Sequence, residues 1–195
     1  NIIQFCLRGI NSQTWIEVCW NSDSARILKI NRPERIGAES TLSKQLRYGL
    51  KYNALVTIEQ DKFERVIKFG FAKKPGDEIN KYLIIELMGK HSNIFYLDSN
   101  QKIIAVGKQI NSNQSSFRIV STGSIYSEPP KNMKKEPILN ESYESWKESI
   151  TSVPESLKYC LINTYQGVSP ILTKQLETFS NLGSVEIMNK NIDFI

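Results

Sequence analysis

Histidine and cysteine are scarce in this chain of 195 residues. It contains one histidine, His91, and three cysteines, Cys6, Cys19 and Cys160, which are far apart in the sequence. A zinc site normally takes four ligands from clustered cysteine and histidine, so no metal site is predicted. Three separated cysteines do not indicate a disulfide framework either, and we interpret them as small buried side chains in a reducing compartment, which favours the cytoplasm.

Signatures of catalysis and of nucleotide binding are also missing. A Ser–His–Asp or Cys–His nucleophile would have to use His91, which lies between two predicted strands, where a hydrogen-bonded structural histidine is the more common case. The run Gly89-Lys90-His91 is not a P-loop, because Ile84 occupies the position of the upstream glycine and no Ser or Thr follows the lysine. We therefore predict that the protein is not an enzyme and needs no cofactor.

Long apolar runs are absent as well. The longest, such as residues 82–85 and 103–106, fall far below the ~20 residues of a membrane-spanning helix, so no membrane partner is predicted. Hydrophobic residues nevertheless make up 40% of the chain, which is enough for a packed core and excludes disorder throughout. The opening residues Asn-Ile-Ile-Gln-Phe are typical of the middle of a strand, so we expect a fragment of a longer protein.

Positive charge is concentrated in the first part of the chain. Residues 1–75 contain 13 Lys and Arg against 7 Asp and Glu, whereas the later segments, 76–130 and 131–195, contain 5 against 5 and 7 against 8. This distribution indicates one positive face, suited to an acidic partner such as RNA. A merely solubilising surface is an equally good interpretation of the charge alone.

The order of patterns predicts strands first and helices afterwards. Short segments rich in β-branched and aromatic residues, separated by turn residues, predict antiparallel strands over 2–8, 14–20, 25–30, 54–59, 64–72, 82–88, 93–97 and 102–110. One helix interrupts them over 41–52, where Leu42, Leu46 and Leu50 recur every fourth residue. Lys44, Arg47 and Lys51 fall together on another face of that helix.

A helical hairpin is predicted near the end of the chain. Residues 156–166 form one amphipathic helix, and Ser169-Pro170 is a strong start for a second, because serine caps free amides and proline is tolerated at the first position. The start of the second helix is suited to phosphate, although plain helix packing explains the pattern equally well. The predicted fold class is α+β, with a β-rich domain over 1–130, a linker over 131–154 and the start of a helical domain over 155–195.

Several motifs resemble those of one known family. Residues 85–94, with the acidic turn at Asp98, are similar to the hallmark of the NFACT-N family of fibronectin-binding protein A, RqcH and NEMF. Further matches follow in the family order: residues 42–47, the set Ser116-Phe117-Arg118, Gly123, Tyr126 and Pro129-Pro130, and residues 165–170. The proline expected before Gly123 is replaced by Thr122. The motif residues carried over are Glu86, Met88, Gly89, Lys90, His91, Ser92, Asn93, Gly167, Ser169 and Pro170.

This resemblance implies both a fold and a function. The fold is an antiparallel β-sandwich similar to the N-terminal domain of formamidopyrimidine-DNA glycosylases, followed by a helical domain, without the N-terminal proline and acid of glycosylase chemistry. The function is that of a ribosome-associated quality-control factor, which binds tRNA and the obstructed large ribosomal subunit and supports untemplated alanine tailing of stalled chains. The alternative is a fibronectin-binding adhesin, with fibronectin as the partner.

The resemblance also suggests which residues contact RNA. An Asp-Arg pair on a strand contributes to tRNA binding in the family, and Glu64-Arg65 stands at that position here. Arginine is retained and pairs well with phosphate, whereas aspartate is replaced by glutamate. The predicted RNA-binding residues are Arg65, Glu64, Arg47, Lys44 and Lys51.

Overall fold

The computed structural model describes residues 1–34, 37–111, 113, 118–131 and 133–179. Within these ranges the helices are α1 (Thr41–Leu50), α2 (Tyr143–Thr151), α3 (Leu157–Thr164) and α4 (Pro170–Phe179). The strands are β1 (Ile2–Arg8), β2 (Gln13–Cys19), β3 (Arg26–Ile30), β4 (Ala54–Gln60), β5 (Val66–Ala72), β6 (Lys81–Glu86), β7 (Asn93–Asp98) and β8 (Ile103–Val106).

The strands form two antiparallel sheets in which neighbours in sequence are neighbours in space. One sheet has the order β1-β2-β3 and the other β4-β5-β6-β7-β8. In the larger sheet β6 and β7 pair from Lys81 opposite Asp98 to Glu86 opposite Asn93. The α+β class with antiparallel sheets is thus confirmed, while the likeness to the glycosylase domain stays a prediction.

The five-stranded sheet is covered on both faces. Phe69, Leu83 and Ile94 point to one core, which also contains Val18 of the smaller sheet and Leu46 of α1. The alternate residues of β6 and β7 point to a second core on the opposite face, formed by Ile84, Phe95, Leu97, Ile103, Val120 and Tyr126. Because successive side chains of a strand face opposite ways, burial on both faces requires the nearly continuous apolar runs seen in β6 and β7.

The chain divides into two compact units. The first comprises Asn1–Asp61 and Arg65–Pro129, and the second comprises Lys62–Glu64 and the chain from Pro130 on. The second unit has its own small core of Ile150, Leu157, Cys160 and Tyr165, contributed by α2, α3 and the turn before α4. The predicted helical hairpin corresponds to α3 and α4.

The linker predicted over residues 131–154 contains a helix, α2, that was not predicted. Ser142 caps it, since the Ser142 Oγ accepts a hydrogen bond of 3.2 Å from the Ser145 amide. Within α2 only Ile150 is fully buried, with Trp146 packed beside it one turn earlier. Tyr143, Trp146 and Ile150 stand at i, i+3 and i+7, so the sequence does contain a short helical pattern here, which the predicted linker overlooked. Residues of the predicted helical domain beyond Phe179 lie outside the described part of the chain.

Candidate nucleic-acid interface

Helix α1 carries two of the five residues predicted to contact RNA, Lys44 and Arg47, and Lys51 follows its last residue. Its start is fixed by a capping box, in which the Ser43 amide donates to the Ser40 Oγ at 3.1 Å and the Ser40 amide donates to the Ser43 Oγ at 2.8 Å. Leu42 and Leu46 are buried and Leu50 is partly buried against the first core. Each fully buried leucine contributes about 1.5–3 kcal/mol, so this face attaches the helix firmly to the first core.

The opposite face of α1 is basic and exposed, but it is not free of acidic groups. The Arg47 guanidinium donates to the Glu39 carboxylate at 2.8 Å, and the Lys44 Nζ lies 3.9 Å from the other oxygen of that carboxylate. Lys51 lies just past the last helical residue, with its Nζ 4.9 Å from the ring centroid of Tyr52. The structure therefore brings Lys44 and Arg47 together around Glu39, a pairing that the helical spacing did not predict.

Ion pairs as exposed as these hold their partners weakly. The side chain of Arg47 is 71% exposed and that of Glu39 is 48% exposed. Pairs in such positions contribute about 0–1 kcal/mol, because water competes for both charges. A phosphate, which offers a more concentrated negative charge, can replace Glu39 as the partner of Arg47 at little cost.

Arg65 lies one residue before β5, an interior strand of the larger sheet. Its carbonyl accepts a hydrogen bond of 2.8 Å from the Leu87 amide, which places Arg65 beside the turn that follows β6. The Arg65 side chain is exposed and makes no ion pair within the described residues. Glu64 is half-buried, and the division between the two units falls between these two residues. The role of both in RNA binding stays a prediction.

Glu86, the acidic residue of the hallmark motif, is buried in an ion pair. It is 1% exposed, its Oε2 accepts a hydrogen bond from the Arg118 Nη1 at 2.8 Å, and its Oε1 lies 2.7 Å from the Arg118 Nη2. The Tyr126 hydroxyl donates to the same carboxylate at 2.9 Å. The Arg118 guanidinium also packs over two rings, with its Cζ 5.2 Å from the centre of Phe95 and 5.0 Å from that of Tyr126.

This network shifts the pKa of Tyr126 and the pKa of Arg118. Burial and the adjacent Glu86 carboxylate raise the pKa of Tyr126 far above its ordinary value. Burial works to lower the pKa of Arg118, but the hydrogen bond and the charge of Glu86 outweigh it and raise that pKa. Both shifts favour the protonated form, so Tyr126 remains a hydrogen-bond donor and Arg118 remains a cation within the second core.

The turn after Glu86 is shaped by further motif residues. Gly89 has a φ of +56°, a left-handed conformation that favours glycine, and it begins a short 3₁₀ turn, Gly89–His91. The buried Ser92 closes the turn, since its Oγ accepts from the Met88 amide at 2.8 Å. The turn leaves Lys90 and His91 exposed.

Asn93 connects the same turn to the segment that follows β8. Its side-chain amide donates to the Lys108 carbonyl at 2.7 Å, and its side-chain oxygen accepts from the Lys108 amide at 2.9 Å. Asn93 is itself buried, so these two bonds satisfy polar groups that water cannot reach. Of the motif residues 86–93, Lys90 and His91 alone are exposed, and they lie on the turn beside Arg65.

The partners of Glu86 come from the second family motif, and the spacing of the two motifs does not predict the contact. Arg118 and Tyr126 follow Glu86 by 32 and 40 residues. The signal available in the sequence was the isolated glutamate at the end of an apolar strand, because a buried carboxylate requires a cationic or hydrogen-bonding partner. Ser116 and Phe117 of that motif lie outside the described residues.

The motif residues of the helical hairpin have local structural roles. Gly167 has a φ of +76°, and a Cβ on it would lie 3.1 Å from the Cδ1 of Phe63. The Ser169 Oγ accepts from the Leu172 amide at 3.1 Å, and Pro170 is the first residue of α4. One amide at this helix start is therefore already satisfied by serine. These contacts support the packing interpretation of the hairpin, and nothing in them requires a phosphate.

A polar cluster that the sequence did not indicate lies in the second unit. The Lys135 Nζ forms an ion pair with Glu141, and the Tyr165 hydroxyl donates to the other Glu141 oxygen at 2.8 Å. The hydrogen bond from Lys135 lowers the pKa of Glu141, and the same bond raises the pKa of Lys135. The cluster joins the segment before α2 to the turn before α4.

A metal site and a membrane-spanning helix are both absent from the part of the chain that the structure describes. No group of three or more His, Cys, Asp or Glu side chains is arranged to hold a metal ion among these residues. None of the helices described here is long and apolar enough to cross a membrane.

Comparison with known proteins gives a consistent picture. Residues 1–191 match the family described as NFACT N-terminal and middle domains. The Rqc2 homolog RqcH of Streptococcus suis (strain 05ZYH33) is 38% identical over 101 residues, 50% of this chain and 18% of the relative. The Rqc2 homolog RqcH of Bacillus subtilis (strain 168) is 29% identical over 133 residues, 67% of this chain and 23% of the relative. The matched stretches thus span less than a quarter of these relatives.

A solved structure shares the fold. The N-terminal domain of fibronectin-binding protein PavA from Streptococcus pneumoniae superposes with a TM-score of 0.73 and 26% identity, covering 91% of this chain and 67% of that one.

Proposed function

Because this chain belongs to the family of NFACT N-terminal and middle domains, we propose that it is part of a ribosome-associated quality-control factor. In this proposal the protein binds tRNA and the obstructed large ribosomal subunit in the cytoplasm and supports untemplated alanine tailing of stalled nascent chains. Its relatives named Rqc2 homolog RqcH support the assignment. The ribosome forms the peptide bond, so the chain positions tRNA and carries out no chemistry of its own.

The observation that carries the proposal is the set of exposed cations in the first unit. Lys44, Arg47 and Lys51 lie on or next to the exposed face of α1, and Arg65 is exposed without an ion pair in the described part of the chain. Phosphate neutralisation by such side chains is the main source of affinity for RNA. A guanidinium with no competing carboxylate binds a phosphate without first breaking an internal bond, which makes Arg65 the strongest single candidate.

The test is binding of tRNA by the purified protein at several salt concentrations. If several phosphates are neutralised, the logarithm of the association constant falls linearly with the logarithm of salt concentration, with a slope of about −0.7 to −0.9 for each phosphate. Binding that does not change between low and moderate salt would contradict an RNA-binding role for this face.

Arg65 is tested by truncation. Arg65→Ala is expected to weaken tRNA binding by about 1–3 kcal/mol, the range for hydrogen bonds to charged groups, with an unchanged melting temperature because the side chain is exposed. Arg65→Lys recovers part of the loss, since a point charge cannot form a two-pronged contact. Glu64→Ala has a milder effect if the glutamate only orients Arg65.

The matched control is Lys102→Ala, which removes the same charge from an exposed position at the turn before β8. It is expected to change affinity by less than about 0.5 kcal/mol. If Arg65→Ala and Lys102→Ala weaken binding equally, Arg65 has no specific role and only the overall charge matters.

Fibronectin binding is the second candidate, favoured by the similarity to the N-terminal domain of fibronectin-binding protein PavA. A fibronectin segment would add a strand to an exposed sheet edge, and β1 and β3 form the edges of the smaller sheet. Main-chain hydrogen bonds would then supply the affinity, so Arg65→Ala should leave it unchanged. Fibronectin binding that is lost in Arg65→Ala would contradict this mode.

A further inference from the structure

Two exposed tyrosines accompany the cations of α1. Tyr48 is 76% exposed, and Tyr52, just past the helix, is 86% exposed. Tyr48 follows Lys44 by four residues and precedes Lys51 by three, so these three side chains follow one line along the helix surface. We call Lys44, Tyr48, Lys51 and Tyr52 the α1 stripe.

We propose that the α1 stripe is a stacking site for unpaired RNA nucleotides, in which the tyrosine rings stack on bases and the two lysines bind the adjoining phosphates. This inference rests on the proposed RNA-binding function and names the kind of RNA that the site takes. Bases in a duplex are already stacked on one another, whereas unpaired bases offer a free face to an aromatic ring.

The stripe is held in place by the opposite face of the helix. Leu42 and Leu46 are buried, and Gly49 approaches the sheet so closely that a Cβ on it would lie 1.9 Å from the Tyr96 hydroxyl oxygen. Asn53 closes the C-terminal end, since its side-chain amide donates to the Gly49 carbonyl at 3.1 Å. Rings on a firmly packed helix lose little freedom on binding, which favours stacking.

Tyr52 has an unusual backbone. Its φ is +67°, a left-handed conformation that disfavours bulky side chains and that glycine adopts freely. The ring belongs to neither core, and the Lys51 Nζ lies 4.9 Å from its centroid. A tyrosine in this position costs stability and adds nothing to packing, so a role in binding accounts for it best.

The charges favour RNA over a protein partner. Exposed tyrosines suit either, but lysine is depleted at the centres of protein interfaces, where its desolvation is unfavourable. Here cations flank Tyr48 on both sides along the helix, and Arg47 adds a third. A ring with cations at about one helical turn on each side matches the alternation of base and phosphate in a single strand.

The experiment measures binding of a fluorescein-labelled 12-nucleotide oligouridine and of a 12-base-pair RNA duplex to the purified protein. Tyr48→Ala is expected to weaken binding of the single strand about 5- to 150-fold and to leave the duplex within 2-fold. Tyr48→Phe keeps the ring and is expected to stay within 2-fold of the unchanged protein. Tyr159→Ala removes an exposed helical tyrosine of the second unit and is the matched control.

The salt dependence separates stacking from charge. Tyr48→Ala is expected to lower affinity with the same log–log salt slope, because no phosphate contact is lost. Lys51→Ala reduces the magnitude of the slope by about 0.7. Tyr52→Gly is expected to weaken binding of the single strand while raising the melting temperature, since it relieves the left-handed tyrosine.

The outcomes distinguish this inference from the function on which it rests. If Arg65→Ala weakens tRNA binding and Tyr48→Ala leaves oligouridine binding unchanged, the stacking site is wrong and the proposed function stands. Equal losses of affinity for the single strand and for the duplex in Tyr48→Ala would also overturn the stacking site. Loss of fibronectin binding in Tyr48→Ala, with RNA binding intact, would assign the stripe to a protein partner.

Discussion

Replacing Glu86 with alanine tests the idea that the hallmark motif is structural. The change would leave the Arg118 guanidinium between the rings of Phe95 and Tyr126 without the carboxylate that now binds both of its terminal nitrogens. It would also remove the acceptor of the Tyr126 hydroxyl. Arg118 retains only 16% side-chain exposure, so water replaces the lost partner poorly.

The expected magnitude follows from the burial of both partners. Removing one member of a buried ion pair costs about 3–5 kcal/mol, most of it the penalty of leaving the other charge uncompensated. A domain of this size has a total stability of about 5–15 kcal/mol, so Glu86→Ala should remove a large fraction. Replacing both residues, as Glu86→Leu with Arg118→Met, removes the unpaired charge and should cost clearly less than either single change.

Urea denaturation followed by tryptophan fluorescence measures these free energies. Trp15 and Trp20 lie in the first unit and Trp146 in the second, so a Trp146→Phe background restricts the signal to the first unit. Glu59→Ala, at an exposed position of β4, is the control and should change stability by less than about 0.5 kcal/mol. The reasoning is refuted if Glu86→Ala costs under about 1 kcal/mol, or if the double change equals the sum of the single ones.

Two further predictions concern the α1 face and the helical hairpin. Glu39→Gln should tighten tRNA binding about 2- to 5-fold in a filter-binding assay, because it frees Arg47 from an exposed pair worth up to about 1 kcal/mol; Glu128→Gln is the control, and equal effects would exclude a local cause. Gly167→Ala should destabilise the second unit by at least about 1 kcal/mol, since alanine disfavours the φ of +76° and its Cβ crowds Phe63. Thermal melting followed by Trp146 fluorescence in a Trp15→Phe, Trp20→Phe background measures this. Gly37→Ala is the control, because an added Cβ there meets open space. Equal melting temperatures for the two variants would contradict the prediction.

Local patterns predicted the elements of the first unit well. The recurrence of Leu42, Leu46 and Leu50 identified α1, and the structure ends the helix at Leu50, two residues earlier than predicted. The apolar runs of β6 and β7 identified strands, because few other elements are both short and apolar throughout. Their sheet order also follows from sequence, since short turns join antiparallel neighbours.

Contacts between distant residues could not be predicted in the same way. The pairing of Glu86 with Arg118 joins residues that are 32 positions apart, and no spacing rule specifies such a contact. The pairing of Arg47 with Glu39 spans the start of α1, where chain direction depends on the Ser40 cap. Helical periodicity places residues on a face, but it says nothing about acidic groups that approach from outside the helix.

Because most of the hallmark motif is buried, its presence is evidence for the fold and not for a binding surface. Glu86, Ser92 and Asn93 are inaccessible to any partner, and each has its polar atoms engaged within the first unit. A sequence that keeps these residues therefore keeps a fold, whether or not it binds RNA. A binding partner can reach only exposed positions, and among these are the α1 face, Arg65, and Lys90 and His91 on the adjacent turn.

Substitutions of the buried motif residues should therefore change stability, whereas substitutions of the exposed residues should change binding. Changes in the buried motif should lower affinity for RNA only in proportion to the fraction of protein unfolded, and a stabilising ligand or a lower temperature should restore it. Changes at Arg65 or on the α1 face should lower affinity in fully folded protein. A buried-motif variant that is fully folded by circular dichroism and still fails to bind tRNA would show that the network positions the turn carrying Lys90 and His91, and would give the motif a direct part in binding.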